Sequence, residues 1–270
     1  MKYYIRVRTE EQLKAVLGWH GSVAPVLILD WALLQDVQLN DLPGDISKYI
    51  ALPDTAKQKN TGFVRKIMET AGDGTGIMIK NPDQLEMAAE MELNGQEVIA
   101  DSSLYAYNYE SFLFYEEVLP GMMFAAGDEL SDQELIKMAG AGEKRGKEDL
   151  YDRIIYKVYG HQALMITEQC ISRNHCGCKG DTVKFKNDKG DEFYSVSKCG
   201  QCYSIIYDAR AVWLFDRIGK IPFEKYMIDL TVEDLIQTEK IMETAFSEKR
   251  NTQKSGDFKY IKGCRVNSVE

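Results

Sequence analysis

Residues 76–101 read GIMIKNPDQLEMAAEMELNGQEVIAD and contain one complete strand–helix–strand unit. The apolar run Gly76–Lys80 predicts a buried strand, and Asn81-Pro82 places a helix cap before a proline at the first helical position. Asn94-Gly95 is a natural helix stop, and Glu97–Asp101 is the next apolar run. This order of elements predicts a parallel sheet with right-handed crossovers.

The same unit recurs along the first half of the chain. Short apolar runs return about every 22 to 27 residues: Tyr3–Val7, Val26–Asp30, Tyr49–Pro53, Gly76–Lys80, Glu97–Asp101 and Met122–Ala126. Capping boxes at Thr9-x-x-Gln12 and Ser131-x-x-Glu134 mark helix starts. That period is tight for a doubly wound sheet but suits an α/β fold of the (β/α) TIM-like barrel type. Ile154–Val158 and Leu164–Thr167 could complete eight strands or form one bent strand, so the sequence leaves open an incomplete barrel.

The texture of the sequence changes after Thr167. Asp181–Phe185 and Glu192–Val196 flank the turn sequence Asn187–Gly190, which predicts a β-hairpin. A helical pattern then runs from Thr231 to about Glu248. We therefore expect a β/α barrel over residues 1–168 and a cysteine-rich metal-binding region over 169–270, with its C-terminal helix and tail packed on the barrel.

Composition narrows the class of protein. The net charge of −9 argues against general coating of nucleic acid or anionic membrane. A basic tail that includes Lys259, Lys262 and Arg265 could nevertheless contact phosphates. The first residues read as a strand rather than as a leader, and no apolar run reaches the length of a bilayer span. We expect a cytoplasmic protein with no membrane association.

Five of the six cysteines lie between residues 170 and 202: Cys170, Cys176, Cys178, Cys199 and Cys202. In a long chain without an export signal, such a cluster favours reduced thiolates around a metal over a disulfide framework. Cys176-x-Cys178 and Cys199-x2-Cys202 at hairpin ends would suit a zinc ribbon, whereas including Cys170 makes a wider cage that suits an iron–sulfur cluster. The spacing alone leaves both open.

Polar residues at the ends of the predicted strands are candidates for the mouth of the barrel, where working groups collect in this fold. They are Asp30, Asp54, Asn81, Asp101, Asp128 and Glu168. Most such residues cap the next helix, and we select Asp101 and Glu168 as candidate catalytic residues. His161 lies near the expected mouth, and we expect a structural role for it. The sequence has no nucleophile elbow, H-E-x-x-H motif or phosphate loop, so conventional protease machinery is not visible.

Several stretches resemble peptidase family U32, the collagenase-like peptidases. Tyr159–Cys170 is similar to a Tyr-Gly-x-x-Pro-Leu-Met strand that runs into a cysteine, and Lys186–Phe193 to an Asp-Arg-Lys-Gly-x-x-Phe hairpin. Cys199–Asp208 resembles Cys-x-x-Cys-Tyr-Asn-x-Ile-Tyr-Asn, and Ile261–Glu270 resembles a closing Lys-Gly-His-Phe-x-x-Gly-Val-Glu. Ala163, Asp208, Cys264 and Ser268 depart from the family pattern. The amino-terminal Glu-x-Phe-x-x-Gly signature is not found, so the chain resembles the C-terminal barrel module of longer members.

The resemblance implies a barrel that carries a 4Fe-4S cluster, with zinc as the alternative metal. It matches the ligands to Cys170, Cys178, Cys199 and Cys202, with Cys176 as the alternate for Cys178. Better-understood relatives hydroxylate RNA bases or quinone precursors without oxygen. The resemblance therefore implies an iron–sulfur enzyme of the oxygen-independent hydroxylase type, acting on RNA or a small aromatic substrate. The alternatives are a collagenase-like peptidase or hydrolase, and a non-catalytic module whose partner chain supplies the N-terminal barrel.

Overall fold

The computed structural model describes residues 1–21, 23–55, 61–72, 74–91, 93, 96–169, 182–199, 201–247 and 260–265. Within these residues lie twelve strands: β1 (Lys2–Val7), β2 (Val26–Asp30), β3 (Lys48–Ala51), β4 (Thr75–Ile79), β5 (Val98–Ala100), β6 (Met123–Ala125), β7 (Ile154–Thr167), β8 (Thr182–Lys186), β9 (Glu192–Lys198), β10 (Tyr203–Trp213), β11 (Lys225–Asp229) and β12 (Tyr260–Ile261). The described helices are α1 (Glu10–Leu17), α2 (Thr61–Ala71), α3 (Pro82–Glu90), α4 (Tyr109–Val118), α5 (Asp132–Ala139) and α6 (Leu235–Phe246).

Eight parallel strands close into a barrel, which confirms the predicted fold class. Strands β1 to β7 pair in sequence order, and β11 closes the circle by pairing in parallel with both β1 and β7. Tyr226 of β11, for example, lies opposite Tyr3 on one side and Tyr156 on the other. Of the two alternatives for the region after residue 154, the structure has the single strand, because β7 is continuous through Thr167.

The barrel therefore extends beyond the expected boundary at residue 168. Its eighth strand, β11, and the helix that follows, α6, both come after the cysteine-rich segment. Strand β11 is a short run of five residues that does not follow the regular strand–helix spacing of the first half of the chain. Only its pairing with β1 and β7 identifies it as a barrel strand. The hairpin prediction is confirmed, since β8 and β9 pair antiparallel around the turn.

Local helix signals act largely as the sequence predicts, although the Gln12 side chain accepts from the Arg8 N–H, so the Thr9 capping box is only half formed. The side chain of Thr9 accepts a hydrogen bond from the Gln12 backbone N–H, and Asn81 accepts from the Gln84 N–H ahead of Pro82. Ser131 and Glu134 form the reciprocal capping box. The final helix begins later than expected, because Asp234 rather than Thr231 is its N-cap residue.

Two apolar layers hold the barrel together. One fills the space between the strands and the surrounding helices. The other lies inside the barrel and consists of Tyr4, Ile28, Tyr49, Ala51, Met78, Ile99, Ala125, Ile155 and Met227. Because strands such as β4 are buried along their whole length, they contribute to both layers. No described helix has the length and hydrophobicity needed to cross a membrane.

A four-stranded antiparallel sheet projects from the barrel. It consists of β8, β9, β10 and residues 161–167 of β7, and is called the sheet extension below. Strand β7 leaves the barrel at Gly160, which still pairs with Asp229 of β11 and already pairs with Val212 of β10. A Cβ on Gly160 would lie 3.0 Å from both Cβ and the carbonyl oxygen of Asp229, and its φ is 153°. Glycine therefore permits the close approach at the junction.

Candidate active site at the barrel mouth

The inner face of the barrel changes from apolar to charged toward the carboxyl ends of its strands. In six strands an ionisable residue follows an inner-core residue by two positions: Tyr4 and Arg6, Ile28 and Asp30, Met78 and Lys80, Ile99 and Asp101, Ile155 and Lys157, Met227 and Asp229. Because side chains alternate along a strand, both members of each pair face the barrel interior. With Arg8, Asp54, Asp128 and Lys198, these six ionisable residues form the mouth cluster.

Most charges of the mouth cluster are matched in close ion pairs. The pairs are Arg8 with Asp229 at 2.6 Å, Lys80 with Asp54 at 2.7 Å, Lys198 with Asp30 at 3.1 Å, and Lys157 with Asp128. Three of these four cations come from barrel strands or their ends, whereas Lys198 comes from the end of β9 in the sheet extension. The Lys198–Asp30 pair therefore joins the sheet extension to the barrel.

These pairs keep the buried acids ionised. Burial by itself opposes ionisation of Asp30, but Lys198, Lys80 and Arg6 together hold its pKa below the ordinary value. The pKa of Asp229 is lowered in the same way, against burial, mainly by Arg8 and Arg6. Burial and the neighbouring Arg6 lower the pKa of Lys80, although Asp54 opposes that shift. Because their carboxylates are ionised and closely paired, Asp30 and Asp229 are poor general bases.

Considering only described residues as partners, Arg6 and Asp101 are the two members of the mouth cluster without a close ion pair. The side chain of Arg6 is only 5 % exposed, yet its nearest carboxylate oxygens, on Asp30, Asp101 and Asp229, lie 3.7 to 3.9 Å away. Those distances exceed a hydrogen bond, and Arg6 Nε is buried without a partner among the described residues. Asp101 Oδ1 accepts from the Ser102 N–H at 2.9 Å, which leaves Oδ2 with only a 3.5 Å contact to Ser103 Oγ.

A cavity of about 380 Å³ opens at this mouth. Its lining includes Arg6 and Asp101 from the mouth cluster, the rings of Tyr105 and Tyr107, and Leu164 of the sheet extension. The volume lies in the range of small-molecule sites. The lining is more polar than in most such sites, because charged and polar residues outnumber the tyrosines and aliphatic residues. The barrel and the sheet extension therefore form the walls of one cavity.

His161 forms the back of the junction between barrel and sheet extension. Its Nδ1 lies 2.7 Å from the Asp208 carbonyl oxygen, and its Nε2 lies 3.2 Å from Glu233 Oε1. Because both neighbours are acceptors, the arrangement favours the imidazolium form, in which both ring nitrogens donate. Burial opposes that charge, but the hydrogen bond to Glu233 and the negative charge of Glu233 raise the His161 pKa. His161 also lines the cavity, so its expected structural role stays a prediction.

The candidate catalytic residues separate in the structure. Asp101 lines the cavity, whereas Glu168 is exposed just beyond the end of β7 and is not among the residues that line it. Asn81 caps α3, as expected for a residue at a strand end. Asp54 and Asp128 both line the cavity. Sequence position therefore identified four of the five acids of the mouth cluster, but not which of them lack a close ion pair.

The basic tail lies apart from the cavity where it is described. Lys262 pairs with Asp216, and neither residue lines the cavity. Arg265 ends a short 3-10 turn over Gly263–Arg265. Lys259 lies outside the described residues.

The described metal-ligand candidates occupy the turn between β9 and β10. Cys199 is half-buried and Cys202 is exposed, with Cys202 in the left-handed region at φ 55°. Residues adjacent to both cysteines contact the mouth cluster: Lys198 Nζ lies 3.1 Å from Asp30 Oδ1, and Tyr203 OH donates to Asp54 Oδ2 at 2.9 Å. The cysteine turn is thereby anchored at the barrel mouth.

The other proposed ligands, Cys170, Cys178 and the alternate Cys176, lie outside the described residues. Among the residues that are described, no group of three or more His, Cys, Asp or Glu is placed to hold a metal ion. The two described cysteines suit a thiolate-bound group, because they lie at the two ends of one short turn.

Sequence reasoning missed the cations of the mouth and the acid of the eighth strand. Arg6, Lys80 and Lys157 each lie two residues after an inward apolar residue, so the alternation within the strands could have identified them. The candidates from the sequence were instead polar residues at the ends of strands, and that criterion favours acids and helix-capping residues. Asp229 was missed because β11 was not recognised as a barrel strand.

In comparisons with known proteins, no family model matches this chain and no curated protein matches it. The resemblance to family U32 therefore stays a prediction that rests on the motifs quoted above.

Proposed function

We propose that the protein is an iron–sulfur enzyme of the oxygen-independent hydroxylase type, acting on RNA or a small aromatic substrate in the mouth cavity. The observation that carries this proposal is the anchoring of the cysteine turn. Lys198 and Tyr203, which adjoin Cys199 and Cys202, bind Asp30 and Asp54 of the mouth cluster. A group bound by these two sulfurs would lie next to residues that contact the mouth cluster, of which Asp54 lines the cavity.

The proposed ligands are Cys170, Cys178, Cys199 and Cys202, with Cys176 as the alternate for Cys178. Four thiolates of one chain suit a 4Fe-4S cluster, and the same sulfurs could hold zinc. When bound, a 4Fe-4S cluster would supply electron transfer.

The side chains of this chain would bind and orient the substrate. Asp101 lines the cavity and keeps one carboxylate oxygen available, so we assign it the orienting role. Glu168 does not line the cavity, and the proposal gives it no contact with the reacting part of the substrate. If the substrate is RNA, Lys259, Lys262 and Arg265 would contact phosphates, and Lys262 would exchange Asp216 for phosphate.

Metal content tests the proposal first. The chain, purified without oxygen, should be brown, with broad absorption in the visible range and about four irons per chain. A colourless protein that holds one zinc would overturn the iron–sulfur assignment.

Activity is tested separately. RNA from a strain that lacks the protein should miss one base hydroxylation that the reconstituted protein restores. Steep salt dependence of RNA binding that flattens in a Lys262→Ala, Arg265→Ala variant would support phosphate contacts. If the reconstituted protein alters neither RNA nor a small aromatic substrate, but cleaves denatured collagen or copurifies with a second barrel-containing chain, the peptidase or partner-module function replaces this one.

A further inference from the structure

We infer that Arg6 and Asp101 form a recognition pair for a lactam edge, in which a ring carbonyl oxygen lies beside a ring N–H. In this arrangement Arg6 donates to the carbonyl oxygen and Asp101 accepts from the N–H. The inference rests on the proposed function in that it uses the same cavity, and it deepens that proposal by naming the chemical class of the group that binds there.

The Arg6 guanidinium has no close hydrogen-bond acceptor among the described residues. Each of the four other cations of the mouth cluster has a carboxylate oxygen within 3.1 Å, whereas the three contacts of Arg6 are 3.7 Å or longer. Burial of a charged donor without a hydrogen bond is costly, so such a group in a folded protein calls for a specific reason. Arg6 lines the cavity, and an acceptor atom of a ligand would supply a hydrogen bond that no described residue supplies.

The carboxylate of Asp101 provides an acceptor beside the Arg6 guanidinium. Asp101 Oδ2 lies 3.8 Å from Arg6 Nη1, so the two groups present a donor and an acceptor side by side. The Ser102 N–H fixes Oδ1, which leaves Oδ2 as the atom that can accept from a ligand. A ligand that offers an acceptor next to a donor would satisfy both residues together.

The balance of charges in the mouth cluster favours a neutral ligand over an anion. The mouth cluster contains the cations Arg6, Arg8, Lys80, Lys157 and Lys198 and the acids Asp30, Asp54, Asp101, Asp128 and Asp229. These charges cancel, and Glu129 adds a further acid to the cavity lining. The three carboxylates nearest Arg6 would repel an incoming oxyanion at close range. A neutral carbonyl oxygen accepts a charge-assisted hydrogen bond without that repulsion.

The cavity lining also includes an exposed aromatic side chain. Tyr105 lies on the same loop as Asp101, lines the cavity and is 63 % exposed. Its φ of 54° is in the left-handed region, which is unfavourable for a tyrosine, and strained residues of this kind cluster at functional sites. The ring contacts Tyr107 edge-on, so a face of Tyr105 is available for a planar ring to stack on.

The test measures binding of uridine and 3-methyluridine by calorimetry to the full chain purified without oxygen. Uridine carries a lactam edge, and methylation at N3 removes its donor while keeping both carbonyl oxygens. We expect 3-methyluridine to bind at least about tenfold more weakly, because the methyl group leaves Asp101 without a partner. Equal affinity for the two nucleosides would overturn the inference.

Two substitutions assign the atoms. Arg6→Met should weaken uridine binding by about tenfold or more, and Arg6→Lys serves as a second variant that retains the charge but loses the planar fork. Asp101→Asn should weaken uridine but not 3-methyluridine. Because the amide oxygen introduced by this substitution would still accept from the Ser102 N–H, the amide nitrogen would turn a donor toward the ligand. Arg145→Met, at an exposed arginine that pairs with Glu110, is the matched control and should leave both affinities unchanged.

Benzoate and inorganic phosphate test the alternative ligand. If either binds more tightly than uridine, and Arg6→Met abolishes that binding, the site takes an oxyanion and the lactam inference is wrong. If uridine fails to bind but the iron-loaded protein hydroxylates RNA, this inference fails while the proposed function stands. If uridine binds as expected to a protein that holds zinc, the proposed function fails and the recognition pair stands.

Discussion

The barrel strands and the strands of the sheet extension carry different burial patterns. Strand β4 is buried at all five positions, whereas β8 alternates between exposed and half-buried residues along its whole length. The barrel has two apolar layers of its own, while the small core of the sheet extension is Tyr203, Ile205 and Tyr207, with Tyr194 and Val196 packed against them. The barrel should therefore be stable by itself, and the sheet extension should depend on its attachments.

Those attachments are of two kinds. The described ones are β10 pairing with β7, the ion pair of Lys198 with Asp30, and the His161 contacts with Asp208 and Glu233. The proposed one is metal bound by the cysteines. Perturbing each attachment in turn tests whether the two regions differ in stability as their packing indicates.

Loss of the metal should have the largest effect. Cys199→Ala or Cys202→Ala should remove the bound iron and loosen the sheet extension, because metal ligation contributes directly to the folding of a region with little core. Iron analysis together with hydrogen exchange of residues 182–199 and of the barrel strands measures both effects. Cys264→Ala is the control, at an exposed cysteine outside the ligand set. Equal iron loss in the Cys264 variant would refute the ligand assignment.

Breaking the buried ion pair should have the next largest effect. Lys198→Met leaves Asp30, which is completely buried, without its closest cation, and removing one member of a buried pair costs about 3–5 kcal/mol. Urea unfolding should show this loss. Lys184→Met is the matched control, because Lys184 is exposed and pairs with Glu192 on the surface. A loss below about 1 kcal/mol for Lys198→Met would mean that the pair does not anchor the sheet extension.

The junction glycine should matter less. Gly160→Ala would force a Cβ against Asp229 at 3.0 Å and would strain a φ of 153°. We expect the free energy of unfolding to fall by about 1–3 kcal/mol, with displacement of Asp229 from Arg8. Gly44→Ala, at a position with open space around the added atom, controls for the general effect of glycine replacement. If both variants unfold at the same urea concentration, the close approach at the junction does not constrain the fold.

The smallest effect should be a pH dependence at His161. Since the folded-state pKa is raised, the stability from its contacts is fully present below the unfolded-state value of about 6.5 and is lost as pH rises through the folded-state pKa. The free energy of unfolding should therefore decrease more with rising pH in the native protein than in His161→Gln. His20→Gln, at an exposed histidine, should follow the native profile. Identical profiles for all three proteins would show that His161 does not titrate in this range.

Local patterns in the sequence were sufficient to predict the strand–helix alternation, the barrel and its caps. Asn81, Ser131 and Thr9 act on residues three positions away, so short-range chemistry specifies them. The hairpin of β8 and β9 is local in the same sense, since its turn residues lie between its two strands. The sequence also identified Asp101 as a candidate, because it stands at the end of an apolar run.

Only the tertiary structure decided how the barrel closes and which charges meet at its mouth. Strand β11 becomes the eighth strand through its register with β1 and β7, and Arg8 meets Asp229 from 221 positions away. These long-range ion pairs leave Arg6 without a close carboxylate among the described residues. The alternation of residues in its own strand does not reveal this. A sequence pattern reports which face of a strand is buried, because alternation is a local property. Which charged groups neutralise each other depends on distances that folding alone sets.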